Sequence, residues 1–205
     1  MRTKYKPWAV PYLLEHKEIA FTSFDKNNRF YNKTLCIEIG GGKGDFIIGL
    51  AKKHPKIHYL MVERVISVAA PAVKKIVDEK IKNVRVIYDN FINITHAIKK
   101  DSINKIYLNF SDPWPKKKHA KRRLTSESFL LDYYRILKKN GLIIFKSDQK
   151  GLYEYTKSMI DKKKFIILED NSNYKKLDKD DVLTEYERKF REKGNIIYRL
   201  VIKKI

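Results

Sequence analysis

The sequence predicts an α/β fold: a mostly parallel, twisted sheet with helices on both faces and an antiparallel last strand. Three observations predict it. From Leu35 onward, short apolar runs alternate with segments of helical period. A glycine turn, Gly40-Gly41-Gly42-Lys43-Gly44, lies between the first run and the first helical segment. The last run, Ile196 to Ile202, follows the sixth without a strong crossover-helix signal, which suits an antiparallel return.

The elements follow in order. Leu35 to Ile39 is a short, mostly apolar strand. Asp45 to His54 is helical, with Phe46, Ile47, Leu50 and Ala51 on one face, and Pro55 ends it. His58 to Val62 is the second strand and Ser67 to Lys80 the next helix. Val84 to Tyr88, Ile103 to Phe110 and Leu142 to Lys146 are the third, fourth and fifth strands. A helix, Ser126 to Lys138, lies between the last two, capped by Thr125 or Ser126 and stopped at Asn140-Gly141. A further helix is expected after Gly151, then a sixth strand, Phe165 to Leu168, and a polar stretch, Glu169 to Asp181. Met1 to Asn32 is basic and aromatic, with Pro7 and Pro11 against any long helix. It reads as an N-terminal arm, over 1–32, ahead of a single domain over 33–205. The arm is open to two readings, RNA contact or a poorly ordered terminus.

Bulk properties narrow the partner. The 205 residues carry 45 Lys and Arg against 24 Asp and Glu, a formal charge of +21. Such an excess favours a polyanion, because neutralising phosphates releases counterions. A general Lys, Ile and Asn habit explains part of it, but the basic residues are also locally clustered. There is one cysteine, Cys36, so no internal disulfide, and a reducing cytoplasm is expected. No apolar run approaches a membrane span, Met1 to Trp8 does not read as a secretory signal, and no Cys/His set has metal spacing.

The glycine turn is the first chemical motif. No Gly-Lys in it is followed by Ser or Thr, so it is not a P-loop. Asp45 stands where a dinucleotide fingerprint needs its third glycine. Glu38, at the strand end beside the turn, would repel a pyrophosphate but suits a cation. S-adenosylmethionine carries a sulfonium and an ammonium. Glu63 ends the second strand about 20 residues on, the spacing at which an acid takes ribose hydroxyls. Asn90, past the third strand, is placed to meet an adenine. Glu38, Gly40, Gly42, Glu63 and Asn90 are therefore the candidate cofactor residues, and the pairing resembles the nucleoside-binding half of class I methyltransferases.

The second motif is Asn109 to Arg123, NFSDPWPKKKHAKRR. Asp112 ends the fourth strand, and strand ends near a topological switch point are where such sheets bind ligands, which would place Asp112 beside Gly40 and Gly42. Pro113 and Pro115 stiffen the corner. Trp114 either stacks on a base or fills the core, and the core is expected. Lys118, His119, Lys121, Arg122 and Arg123 form a basic loop suited to RNA phosphates. Taken separately, these are a rigid turn and a solvated loop. The corner is also a near look-alike of the Asp/Asn-Pro-Pro-aromatic corner of exocyclic-amine methyltransferases, but with Trp inside the proline pair.

IEIGGGKGDF, VERV, NFSDPWPKKKHAKRRL, FKSDQ and TEYERKF, in this order, resemble the bacterial tRNA (guanine-N7-)-methyltransferase family from about Leu35 to the C-terminus. The resemblance implies a Rossmann-like class I methyltransferase fold, S-adenosylmethionine as cofactor and tRNA as partner. It puts Glu38, Glu63, Asn90 and Asp112 on the cofactor, with Asp112 also the catalytic candidate, and Lys118 to Arg123 on RNA. Lys116, Asp148 and the Thr184 to Glu187 segment go to the target base. Asn90 stands where the family often has Asp, and Asp89 is the alternative. Guanine offers N1–H and its N2 amine as adjacent donors, so Asp148 or Glu187 is expected to accept them, with Thr184 assisting. By spacing alone, Asp148 is a helix cap and Glu187 a surface partner of Arg191 at i, i+4. A non-catalytic RNA-binding protein and an exocyclic-amine methyltransferase are the alternatives. No metal and no membrane are expected, and the chain is expected to be a monomer or homodimer.

Overall fold

The computed structural model describes residues 4–175 and 181–205. They form two compact units, 4–99 with 181–184, and 100–175 with 185–205.

The first unit opens with helix α1 (Ala9–Glu15) and a short strand β1 (Ala20–Phe21). It continues through β2 (Leu35–Ile39), α2 (Asp45–Lys53), β3 (His58–Val62), α3 (Ile66–Asp78), β4 (Val84–Ile87) and α4 (Phe91–Thr95). Its strands run β1-β4-β3-β2, all parallel, with Leu35 opposite His58 and Tyr59 opposite Val84. Parallel pairing needs a crossover between strands, and α2 and α3 provide it. Ile37, Leu60, Met61, Val73, Ile76, Val84 and Val86 are fully buried. The N-terminal stretch is built into this unit: β1 extends the sheet beside β4, and α1 packs on α3. Pro11 lies in the first turn of α1, where a missing N–H costs little. Gly49 within α2 leaves room for Val182, whose Cγ1 would lie 2.6 Å from a Cβ there, and the Lys53 ammonium donates to the Asp181 carbonyl at 2.7 Å.

The second unit comprises β5 (Ile103–Asn109), α5 (Glu127–Ile136), β6 (Leu137–Ser147), α6 (Lys150–Met159), β7 (Phe165–Asn171), α7 (Glu185–Glu192) and β8 (Tyr198–Lys204). β5 and β6 are parallel, and β8 runs antiparallel to both β6 and β7, in the order β5-β6-β8-β7. The expected antiparallel last strand is present.

Three boundaries differ from the sequence expectation. The helix expected to reach Lys138 ends at Ile136, and β6 begins at once. Asn140 adopts φ 62° inside β6, and the β5 pairing jumps from Leu137 to Leu142. Asn140-Gly141 therefore forms a bulge rather than a helix stop, since both signals call for left-handed or crowded backbone. Gly141 is needed because a Cβ would sit 2.8 Å from the Lys138 carbonyl. Gly151 lies inside α6 rather than before it. β7 extends through Glu169 to Asn171, because Arg199 and Tyr153 take the Glu169 and Asp170 carboxylates and make polar residues tolerable there. The rest of the expected polar stretch falls partly outside the described residues.

Asn83 ties the first unit together. Its buried amide reaches the carbonyls of Ala51 (3.1 Å), His54 (3.2 Å) and Ile57 (2.8 Å), which satisfies the end of α2 and the turn into β3. Asn83→Ala should cost about 1–3 kcal/mol, because buried carbonyls lose their donor. Thermal unfolding should move down by roughly 2–4 °C per kcal/mol at this chain length. An unchanged melting temperature would contradict this account.

Candidate functional site

In the first unit, parallel pairing gathers the candidate residues at the carboxyl ends of the strands. β2 ends into the glycine turn. The Gly40 N–H donates to the Val62 carbonyl at 2.8 Å, and the Gly44 N–H closes the turn on the Gly41 carbonyl at 3.0 Å. Gly40, Gly42 and Gly44 have φ of 77°, 60° and 79°, the left-handed region that favours glycine. A Cβ at Gly40 or Gly42 would meet nothing within 4 Å, so these positions expose bare backbone. At Gly41 a Cβ would lie 2.3 Å from the Met61 Cγ and 3.3 Å from a Glu38 carboxylate oxygen. The turn is thus seated on Met61 and on the buried Glu38 carboxylate.

Glu63 latches the turn. Its Oε2 accepts the Gly42 N–H at 3.1 Å and its Oε1 accepts the Val65 N–H at 2.9 Å. Charge-assisted bonds of this kind are about twice as strong as neutral ones. Asn90 follows β4 and caps α4, its Oδ1 accepting the Ile92 N–H at 3.4 Å while the residue stays exposed. Asp89, the alternative, accepts from the Asn90 N–H and from the Asn93 amide. Open glycine backbone with a buried and a latched carboxylate fits a cationic nucleoside ligand such as S-adenosylmethionine, whose charge these acids offset.

The second unit carries the corner. β5 leads into Phe110, whose φ is 52°, an uncommon value for an aromatic residue. Its N–H donates to the Lys146 carbonyl at 2.8 Å. Asp112 is exposed just beyond β5, and Lys116 is exposed at the entry to a 3-10 turn, Lys117–Arg122, that buries no side chain. Trp114 has φ 42° and is half-buried. The Arg122 guanidinium lies 5.0 Å from its ring centre, and His119 meets it edge-on at 5.6 Å. The expectation that Trp114 fills the core is therefore corrected: it is the floor of the basic loop.

Arg123 behaves differently from its neighbours. Its Nε donates to the Pro113 carbonyl (3.0 Å), its Nη2 to the Trp114 carbonyl (3.0 Å), and its guanidinium stacks on Tyr155 at 4.2 Å. Prolines supply no N–H of their own, so this corner needs an outside donor for its carbonyls. Lys118, Lys121 and Arg122 remain on the open side of the turn, and His119 is half-buried.

Asp148 follows β6, half-buried at its end, where the Gln149 amide donates to it and the Tyr186 phenol lies beside it. Burial and the Asp148 carboxylate push the Tyr186 phenol up to about 12, so it remains a donor at neutral pH. Thr184 is half-buried immediately before α7. Glu187 does pair with Arg191, but not at the surface. It is fully buried, its Oε1 accepting from Arg191 Nε (2.9 Å) and Nη2 (2.8 Å) and its Oε2 from the Lys146 ammonium (2.7 Å). Sequence reasoning passed over Lys146 and Phe110, and covered Tyr186 only within the Thr184 to Glu187 segment. The signal for the first was a lysine closing an otherwise apolar strand. Among the described residues no cluster of three His, Cys, Asp or Glu could hold a metal, and no helix is long and apolar enough to cross a membrane.

Comparisons with known proteins identify the family and the fold. Residues 32–200 match the family described as "Putative methyltransferase". A tRNA (guanine-N(7)-)-methyltransferase of Staphylococcus haemolyticus is 41% identical, covering 99% of this chain and 98% of the relative. That of Oceanobacillus iheyensis is 41% identical over 97% of each. Among solved structures, a 30S ribosomal A1408 methyltransferase from an uncultured bacterium aligns with TM-score 0.64 and 19% identity over 91% of this chain and 98% of that one. An rRNA methylase from Streptococcus thermophilus aligns with TM-score 0.58 and 11% identity over 100% and 99%. These two establish the methyltransferase fold. The full-length likeness to the curated relatives goes further, and the chain belongs to the tRNA (guanine-N(7)-)-methyltransferase family.

Proposed function

We propose that this chain transfers a methyl group from S-adenosylmethionine to N7 of a guanine in tRNA. The observation that carries the reading is the pairing of an open, acid-backed glycine turn with full-length likeness to enzymes of that name. The first unit supplies the cofactor groups: Glu38, Gly40, Gly42, Glu63 and Asn90. The second supplies Asp112 at the reacting end, Lys116 and Asp148 for the target base, and Lys118, His119, Lys121 and Arg122 for the RNA backbone. Thr184, at the entry to α7, assists at the base.

The chemistry asks little of acid–base groups. Guanine N7 holds an in-plane lone pair and no proton, so no general base is needed to make the nucleophile. When bound, the cofactor supplies an electrophilic methyl on a sulfonium. The chain's residues orient the two partners, exclude water and place negative charge near the purine as it becomes cationic. Asp112 is the carboxylate assigned to that charge. Asp148 suits the N1–H and N2 amine of guanine, since a carboxylate accepts both, and the Tyr186 phenol lies beside it. Glu187 is held inside its own unit by two cations, so its part is to seat α7.

Three outcomes test this. Nucleoside mass spectrometry of unmodified tRNA after reaction should show 7-methylguanosine, and Asp112→Ala should abolish it with the fold intact. Methyl on an exocyclic amine, or near-normal turnover by the variant, would refute the assignment. Glu63→Ala removes two charge-assisted bonds, so urea unfolding should register a loss of about 2–4 kcal/mol. Calorimetry should show weaker S-adenosylmethionine binding in the same variant. Neutralising Lys118, Lys121 and Arg122 should lower tRNA affinity and flatten its salt dependence by roughly 0.7–0.9 of a unit of slope for each phosphate left unneutralised. An unchanged slope would make the loop mere surface.

A further inference from the structure

Lys146 stands out among the groups that the reaction leaves unused. Its side chain and that of Glu187 are both 0% exposed, and they meet at 2.7 Å. Removing two charges from water is costly, and an apolar pair of similar volume often serves stability as well or better. What such a pair supplies that an apolar pair lacks is direction. α7 carries two stripes, Tyr186 with Phe190 and Glu187 with Arg191, each at i, i+4. The bond to Lys146 decides which stripe turns inward.

The other contacts follow from that choice. With Glu187 inward, Tyr186 stacks on Phe190 at 4.5 Å, meets Phe110 at 5.1 Å and brings its phenol beside the Asp148 carboxylate. Tyr186 nonetheless stays 44% exposed, an aromatic face left open beside a carboxylate. Arg191 extends the seat to the far side, donating to the Lys175 carbonyl at 2.9 Å. Lys146 acts on the corner as well: its carbonyl accepts the N–H of Phe110, the residue held at φ 52° two positions before Asp112. One residue therefore joins the ends of β5 and β6 to α7, through its backbone and its ammonium at once.

We propose that Lys146, through its buried pair with Glu187, is a positioning residue for the target base, setting the rotation of α7 so that Tyr186 and Asp148 present one fixed face to it. Phe110, Tyr186 and Asp148 then form a platform of rings with an acceptor at its edge, the combination that receives an unstacked purine. The assignment rests on the target-base reading given above.

The test compares Lys146→Met, Lys146→Arg and the neutral double variant Lys146→Met with Glu187→Leu. Each is assayed well below its melting temperature and scaled to cofactor-binding sites. With Lys146→Met, kcat on tRNA should fall about a hundredfold, the cost of misplacing a reacting group by about 1 Å. KM for tRNA and the S-adenosylmethionine Kd should stay within about threefold, since they depend on other residues. Lys146→Arg should recover much of the rate. Hydrogen exchange across 185–192 should quicken about tenfold in Lys146→Met, with 38–45 unchanged. The double variant leaves no buried charge on β6 uncompensated and should fold, yet remain slow. Wild-type kcat in either Met-bearing variant, or kcat falling only in step with the cofactor-binding fraction, would overturn the proposal. The exchange arm needs no turnover, so unchanged protection of 185–192 also overturns it. If the wild-type chain made no 7-methylguanosine, that would refute the function while this arm still judged the clamp.

Discussion

Parallel pairing is the constraint on which the site depends. Strands that run the same way cannot be joined by tight hairpins, so each must return through a crossover segment. The return leaves the carboxyl ends of neighbouring strands side by side, each entering a loop. In the first unit this puts the glycine turn, Glu63 and Asn90 along one edge of β2, β3 and β4. In the second it puts the Asp112 corner and Asp148 at the ends of β5 and β6. The loops differ in chemistry because the strands have already fixed their positions.

Each loop is then stiffened by a polar contact that its own backbone could not provide. The glycine turn has N–H groups to spare and is met by a carboxylate, Glu63. The proline corner has carbonyls to spare and is met by a guanidinium, Arg123. α7 presents a buried acid and is met by an ammonium, Lys146. The Gly42, Trp114 and Glu187 partners lie 21, 9 and 41 residues away in sequence, so these contacts depend on the chain having folded.

That distance explains what could be read from the sequence. Strand positions were legible because apolar runs such as Leu35 to Ile39 are local signals, and the glycine turn and proline corner are local too. Glu38 and Glu63 were legible by spacing to the glycines. The engagement of Arg123 with Pro113 and Trp114 was not, because an arginine in a basic run carries no mark of whether it faces solvent or a carbonyl. Glu187 shows the same limit: its i, i+4 partner was visible, while its burial depended on Lys146, 41 residues back. Asn140-Gly141 misled because the same dipeptide that stops helices also makes bulges in strands.

Glu63 links two properties that are often separable. The acid assigned to the ribose also holds Gly42 and Val65 in place before any ligand arrives. A substitution there meant to alter nucleoside preference would also unfasten the turn that the nucleoside needs. Cofactor selectivity at this position therefore has little freedom to drift on its own. Change is more easily accommodated at Asn90, whose exposed side chain caps a five-residue helix.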